Sequence, residues 1–214
     1  MATELVIFDM DGTTVKSVDG IMYSMNLVLE KANFPTHDEE AYKGFIGGGT
    51  RALVTKALPE KNRTEEEIDK YCKEMLKTYG ENWDYGLKLY DEIPEVLDYL
   101  MNKGIKIAIN TNKADHLAKR IVDKLFDKWE VSCTIGDRED LPKKPDPAGV
   151  YKIIEELKVN PEACIYVGDS GTDVQTAKNA NIKSVGVTWG FRKRDDLLKA
   201  DHIIDHPSEL IDIL

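Results

Sequence analysis

Short apolar runs recur along the chain, and each stops at a polar residue or a glycine. Leu5-Val6-Ile7-Phe8 stops at Asp9, and Ile105 to Ile109 stops at Asn110-Thr111-Asn112. Val131 to Ile135 stops at Gly136-Asp137, Cys164 to Val167 at Gly168-Asp169, and Ser184 to Val187 at Thr188-Trp189-Gly190. Runs of this kind predict strands buried on both faces. Between them the apolar residues fall on single helix faces. Ile93, Val96, Leu97, Leu100 and Met101 make one such face, Leu117, Ile121, Val122 and Leu125 another, and Val150, Ile153, Ile154 and Leu157 a third. Strands alternating with helices predict a parallel α/β sheet. Ligands of such sheets bind beyond the carboxyl ends of the strands, so the polar run-ends are expected along one edge.

Residues 16–86 break the alternation. Ile21, Met25, Val28, Leu29 and Ala32 form one helical stripe, and Ile68, Tyr71, Cys72, Met75, Leu76 and Tyr79 form another. Between them lie Gly47-Gly48-Gly49-Thr50-Arg51 and then Leu53, Val54, Ala57 and Leu58. The pattern predicts an all-helical insert at 16–86 within a discontinuous α/β core of 1–15 and 87–214. No internal repeat or low-complexity segment is apparent.

Composition narrows the classes. Hydrophobic residues are 42% and charged residues 32% of 214, an ordinary globular balance. Asp plus Glu exceeds Lys plus Arg, 39 against 29, for a formal net charge of −10. Such a surface repels nucleic acid and anionic lipid, yet still admits a small phosphorylated metabolite at a local cation. The cysteines Cys72, Cys133 and Cys164 are odd in number and far apart, which points to neither disulfides nor a Cys-rich zinc site. No stretch approaches the ~20 apolar residues of a membrane span, and the first strand begins almost at once. A cytoplasmic protein is expected, as a monomer or a homodimer.

The candidate chemistry begins with Asp9 and Asp11. Two carboxylates ~4 Å apart repel by about 4 kcal/mol at an effective dielectric of ~20. A cation, a metal or a shared proton must offset that. Asp11-Gly12 is also an ordinary turn pair, so that dipeptide alone is ambiguous. Gly168-Asp169-Ser170-Gly171-Thr172-Asp173 repeats the theme of an acid at a strand end. There Asp169 or Ser170 also suits a helix cap, and capping and metal binding can coexist. Oxygen ligands with no nearby His or Cys favour magnesium over zinc. Thr111 suits either an ordinary helix cap or a phosphate oxygen at a helix N-terminus. In Lys143-Lys144-Pro145, the proline biases Lys144 towards an extended backbone, leaving it an exposed loop lysine or an inward charge. The Gly47–Arg51 run is open between a plain loop and a close approach to ligand.

Taken together, Asp9-Met10-Asp11-Gly12-Thr13, Thr111, Lys144 and Gly168 to Asp173 stand in the order of the four motifs of the haloacid dehalogenase-like superfamily. The chain resembles that superfamily over essentially its whole length. The helical insert sits where the superfamily carries its first-type cap. Gly47-Gly48-Gly49 with Leu53-Val54, Val185 to Phe191 and Ala200 to Leu210 look like the phosphoglycolate phosphatase-like branch. Thr14 stands where leucine is frequent, Lys16 where aspartate is frequent, and Asn181 where glycine often ends the helix.

The resemblance implies a Rossmann-like parallel sheet core with an inserted helical cap. It also implies a magnesium-dependent phosphatase acting on a small phosphomonoester through an aspartyl-phosphate. In it Asp9 would be the nucleophile, and Asp11 would pass a proton to the leaving alcohol. Mg2+ would be held by Asp9, the Asp11 backbone carbonyl and Asp169, with Asp173 supporting from behind. Thr111, the Asn112 amide and Lys144 would neutralise the phosphoryl oxygens. Gly12, Thr13 and Ser170 would line the substrate position, and Gly48, Gly49, Thr50 and Arg51 would form the cap's substrate-facing edge. A phosphosugar mutase on the same scaffold is the nearest rival. A phospho-signalling receiver, disfavoured by the position of Asp9 on the first strand, and an idle binding module are the others.

Overall fold

The computed structural model describes residues 2–214. The chain divides into two compact units, Met1–Val15 with Leu89–Leu214, and Lys16–Lys88. Eight strands run in chain order as Leu5–Phe8 (β1), Val15–Lys16 (β2), Lys88–Leu89 (β3), Lys106–Ala114 (β4), Val131–Asp137 (β5), Cys164–Gly168 (β6), Lys183–Val187 (β7) and His202–Ile204 (β8). Six of them form one parallel sheet in the order β5-β4-β1-β6-β7-β8, while β2 and β3 make a separate two-stranded sheet.

Four of the five apolar runs become inner strands because no solvent face remains, while Val131 to Ile135 becomes the edge strand β5 and stays partly exposed. All four residues of β1 are buried. Side chains alternate across a strand. Leu5 and Ile7 join Ala108, Tyr166, Val150, Ile153 and Ala177 in one apolar cluster. Val6, Phe8, Ile107 and Ile109, equally buried, point to the opposite face. The sheet-flanking helices are Ile93–Asn102 (α5), Asp115–Leu125 (α6), Ala148–Leu157 (α7) and Gly171–Asn179 (α8). Their inward faces follow the stripes read from the sequence, for example Ile93, Val96, Leu97 and Leu100 of α5, but Met101, placed on that stripe, is exposed. After α8 the chain turns through Asn181 at φ 56°, the left-handed conformation that asparagine tolerates after glycine.

One strand differs from expectation. The apolar run ends at Ile109, but β4 continues through Asn110-Thr111-Asn112-Lys113 to Ala114. Those polar side chains are themselves buried. The register against β5 shifts between Asn110 and Ala114, so the extension is bulged. Helix α6 starts only at Asp115, and Thr111 is therefore not a helix cap.

The second unit holds Val18–Lys31 (α1), Glu39–Phe45 (α2), Gly49–Ala57 (α3) and Glu65–Asn82 (α4). Helix α1 packs on α2 and α4, and α3 packs on α4. Asp38 and Thr64 cap α2 and α4 by accepting from backbone N–H groups three residues on. Helix α2 has no apolar stripe in the sequence; Tyr42 is its one buried residue.

Candidate active site

The site is assembled at the carboxyl ends of β1, β4 and β6. The register of β1 with β6 leaves Asp9 one residue past the pair Phe8–Val167, with its N–H donating to the Val167 carbonyl at 2.9 Å. The next turn is tight. Thr13, Thr14 and Val15 all donate their N–H groups to the Met10 carbonyl, and Gly12 sits at φ +89°. The Thr14 hydroxyl donates to the Asp9 carbonyl at 3.1 Å, so this departure from the usual leucine tethers the turn from within.

Asp9, Asp169 and Asp173 are all buried, and each offers a carboxylate oxygen within 4.8 Å of the others. Lys144 lies among them. Its ammonium is 2.8 Å from Asp9 Oδ1 and 2.7 Å from Asp173 Oδ1. Burial pulls the lysine towards its neutral form, but Asp173 and Asp9 outweigh that and hold it well above its ordinary value. Asp9 is pushed up from 3.8 to about 7, first by burial and further by Asp173 and Asp11, against the pull of Lys144. Asp169 is pushed well up by burial and by its two acidic neighbours, against the Phe191 amide.

Lys144 owes its position to Asn112. The Asn112 side chain donates to the Lys144 carbonyl at 3.2 Å and accepts from the Lys144 N–H at 2.9 Å. A primary amide matches a peptide group in this two-way manner, and the lysine loop is pinned to β4. The sequence reading assigned Asn112 a backbone amide for phosphate; its side chain has this further use. Thr111, two residues from Lys113 on the same strand, has its Oγ1 accepting from the Lys113 N–H at 3.2 Å.

Asp173 is held by the start of α8. Ser170 caps that helix and donates both its N–H and its hydroxyl to Asp173 Oδ2. Asp169 lies before the helix, not on its face, because α8 begins at Gly171. Its Oδ2 accepts the Phe191 N–H at 2.7 Å. The space is tight: a Cβ on Gly190 would lie 2.3 Å from the Asp169 Cβ and 2.4 Å from the Gly12 carbonyl oxygen. A Cβ on Gly12 would lie 2.6 Å from Asp169 Oδ2. Thr13 is fully buried, its carbonyl accepts the Trp189 indole N–H at 2.9 Å, and its hydroxyl has no hydrogen-bond partner.

Asp11 stands apart from the acid cluster. Its two carboxylate oxygens are 3.0 and 3.2 Å from the Lys113 ammonium. Lys113 was not singled out by the sequence reading. No local signal marks it, because the apolar run that predicts the strand ends at Ile109 and the extension carrying Lys113 is bulged.

The cap candidates belong to the other unit. Gly48 precedes α3, Gly49 opens it at φ +81°, and Thr50 and Arg51 lie in its first turn. The Arg51 guanidinium is paired with Glu65 and Asp69 of α4.

A hard divalent cation fits the acid cluster. Two of the three buried carboxylates, Asp9 and Asp173, share one lysine, and Asp9 Oδ1 has that ion pair but no aligned hydrogen bond. Among the described residues, this is the one such cluster of acid, His or Cys ligands. Carboxylate oxygens alone are the donor set of magnesium or calcium rather than zinc.

Acids at the ends of the neighbouring strands β1 and β6 and in the first turn of α8, clamped by a lysine from the loop before α7, define the class as an α/β phosphoryl-transfer enzyme. Comparison with known proteins gives the family. Residues 6–187 match the model of the haloacid dehalogenase-like hydrolases. A phosphoglycolate phosphatase of Aquifex aeolicus is 32% identical over 210 residues, covering 98% of this chain and 96% of that protein. An N-acetylmuramic acid 6-phosphate phosphatase of Pseudomonas aeruginosa is 28% identical, covering 100% and 96%. The crystal structure of a predicted phosphoglycolate phosphatase from Haemophilus somnus superposes with a TM-score of 0.87 at 27% identity, covering 99% and 97%. The chain belongs to the haloacid dehalogenase-like hydrolases, and within them it is a phosphatase, a phosphoric monoester hydrolase similar to phosphoglycolate phosphatases. No helix among the described residues is long and apolar enough to cross a membrane.

Proposed function

We propose that the chain hydrolyses a small phosphomonoester of the phosphoglycolate type with Mg2+, through an aspartyl-phosphate on Asp9. The observation that carries this reading is the Asp9 carboxylate at the end of β1, buried beside Lys144 at 2.8 Å and within 4.8 Å of the Asp169 and Asp173 oxygens. A carboxylate so placed is a nucleophile that splits one hard displacement into two.

Asp9 and Asp169 would hold the magnesium through their carboxylates and Asp11 through its backbone carbonyl. When bound, the ion supplies positive charge that keeps Asp9 ionised and screens the phosphoryl oxygens. Lys144 would neutralise the same oxygens, its position fixed by Asp173 and Asn112. Thr111 offers a hydroxyl to a phosphoryl oxygen. Fixed charges of this sort supply much of the rate in phosphoryl transfer.

In the first step an Asp9 oxygen bonds to phosphorus as the ester P–O bond breaks, and Asp11, having first taken a proton from solvent, gives it to the departing alkoxide. In the second, water attacks the phosphorus of the aspartyl-phosphate and passes a proton to Asp11. The Asp9 carboxylate and inorganic phosphate then separate. One oxygen of Asp11 must turn from Lys113 to the ester oxygen for this.

The test is phosphate release from a panel of small phosphomonoesters by purified protein, with and without a chelator. Release that stops on chelation and returns with magnesium is expected. Return with zinc but not magnesium would contradict the ligand assignment. The same assay separates a mutase, which would isomerise a sugar phosphate without releasing phosphate.

A further inference from the structure

The loop after β7 ties the turn that follows Asp9 to the carboxylate of Asp169. The Trp189 indole N–H donates to the Thr13 carbonyl at 2.9 Å, across 176 positions of sequence. Gly190 lies so close that a Cβ there would be 2.4 Å from the Gly12 carbonyl oxygen and 2.3 Å from the Asp169 Cβ. The Phe191 N–H then donates to Asp169 Oδ2 at 2.7 Å. The loop starts from a fixed point, because Thr188 donates its N–H to the Ile204 carbonyl at 3.1 Å and its hydroxyl to Asp205 at 2.7 Å. At its far side, the Thr13 and Asp11 carbonyls belong to one turn, closed on the Met10 carbonyl by the N–H groups of Thr13, Thr14 and Val15. We propose that Trp189 is a positioning residue of the metal site, which fixes the spacing between this turn and Asp169 and thereby raises the site's preference for magnesium over calcium. The inference rests on the reading that Asp9, Asp11 and Asp169 hold the cation, and deepens it.

The physical reason lies in what each cation tolerates. Magnesium demands near-ideal octahedral geometry with oxygens at about 2.0–2.1 Å, whereas calcium accepts oxygens over about 2.3–2.6 Å in flexible arrangements. The two halves of the site come from different strands. The β1–β6 ladder ends at the Phe8–Val167 pair, and the Asp9 N–H adds one bond to the Val167 carbonyl, so the ladder stops short of both Asp11 and Asp169. Beyond that point the loop from Trp189 to Phe191 bridges the gap, held to the turn by the indole and to Asp169 by the Phe191 amide. Without the indole N–H the loop is freed from the turn, and Asp169 can recede with it. A wider site still suits the larger, more tolerant cation and suits the smaller one poorly. Outer supports of metal ligands are worth about tenfold to a hundredfold in affinity.

The experiment titrates the metal-free protein with Mg2+ and separately with Ca2+ by calorimetry, in the absence of substrate. It compares the wild type with Trp189→Phe, which keeps an aromatic ring and removes the N–H. The readout is the ratio of the two dissociation constants. In Trp189→Phe magnesium binding should weaken by roughly tenfold and calcium binding by less, so that the preference for magnesium falls by about threefold or more. An unchanged ratio overturns the inference, whether both affinities hold or both fall together, because a merely structural role would move neither or both alike. Should Trp189→Phe fail to fold, amide hydrogen exchange of the wild-type segment 188–192 is compared in saturating magnesium and in saturating calcium. Stronger protection with magnesium supports the proposal, and equal exchange overturns it. Magnesium binding by the wild type with an unchanged ratio in the variant sinks this inference alone. A wild type that binds no magnesium sinks it together with the metal reading.

Discussion

With divalent metal removed, the protein is expected to lose stability as the pH rises from about 5 to about 7, and Asp9 is the cause. Burial raises its carboxyl from 3.8 to about 7 in the folded chain, while the unfolded chain keeps the ordinary value. Between those two values the native state binds the extra proton. The free energy of unfolding therefore falls with rising pH, by up to ~1.4 kcal/mol per unit from this one group. Over the full interval of about three units the loss is on the order of 4 kcal/mol. It is absent below a pH of about 4 and complete above about 7. Asp169, raised by the same burial and by Asp173 and Asp9, acts in the same direction. Asp115 and Asp201 have lowered values. They stabilise above the unfolded value and lose that as the pH falls below it, outside this window. The assay is urea unfolding in EDTA at several pH values, for the wild type and Asp9→Asn, repeated with saturating magnesium. The wild type in EDTA should lose about 2 to 3 kcal/mol between pH ~5 and ~7. Asp9→Asn should show a shallower slope and exceed the wild type in stability at pH ~8, because its amide needs no counter-charge. Magnesium should flatten the wild-type profile. Equal slopes for wild type and Asp9→Asn in EDTA would refute the reasoning.

Two further outcomes follow from the supports around the acid cluster. Asn112→Ala removes both hydrogen bonds that pin the Lys144 main chain. It should cost about 1–3 kcal/mol in thermal or urea unfolding and lower kcat by tenfold or more with KM little changed; an unchanged kcat would mean that Lys144 is held by other means. Gly190→Ala places a methyl group 2.3 Å from the Asp169 Cβ as the site stands, so Asp169 must move. Magnesium affinity by titration calorimetry should weaken by roughly tenfold or more, since displaced support of a ligand typically costs that much. Wild-type affinity in this variant would remove Asp169 from the metal site.

The alternation of strands and helices was legible because the central strands are buried on both faces and contain no polar residue until their ends. β4 shows where that legibility stops. Hydropathy marks its end at Ile109, yet four more residues stay in the sheet with polar side chains buried at the site. Their burial is offset by partners far away in sequence. Lys113 pairs with Asp11 across 102 positions, and Asn112 grips Lys144 across 32. Nothing local to Asn110-Thr111-Asn112-Lys113 announces those partners, so Lys113 passed unremarked. Ser170 could be read only as one of two possible caps. The geometry makes it the cap and also a donor to Asp173. Helix α2 was missed for a different reason: with Tyr42 alone buried, its sequence has no stripe, and the Asp38 cap is its main local signal. The three-carboxylate cluster was legible from like charges at adjacent strand ends, which parallel topology brings to one edge.

The central claim is that Asp9 carries the phosphoryl group. Asp11→Asn should keep magnesium binding, because its proposed contact is through the backbone, and should slow both displacements. Acid-quenching the wild type during turnover of 2-phosphoglycolate with magnesium, followed by peptide mass spectrometry, reads the claim on Asp9 directly. A hydroxylamine-sensitive phosphoryl group on the peptide at Asp9, absent in Asp9→Asn, is the predicted result. A phosphoryl group on another residue, or phosphate release by Asp9→Asn at the wild-type rate, would contradict it.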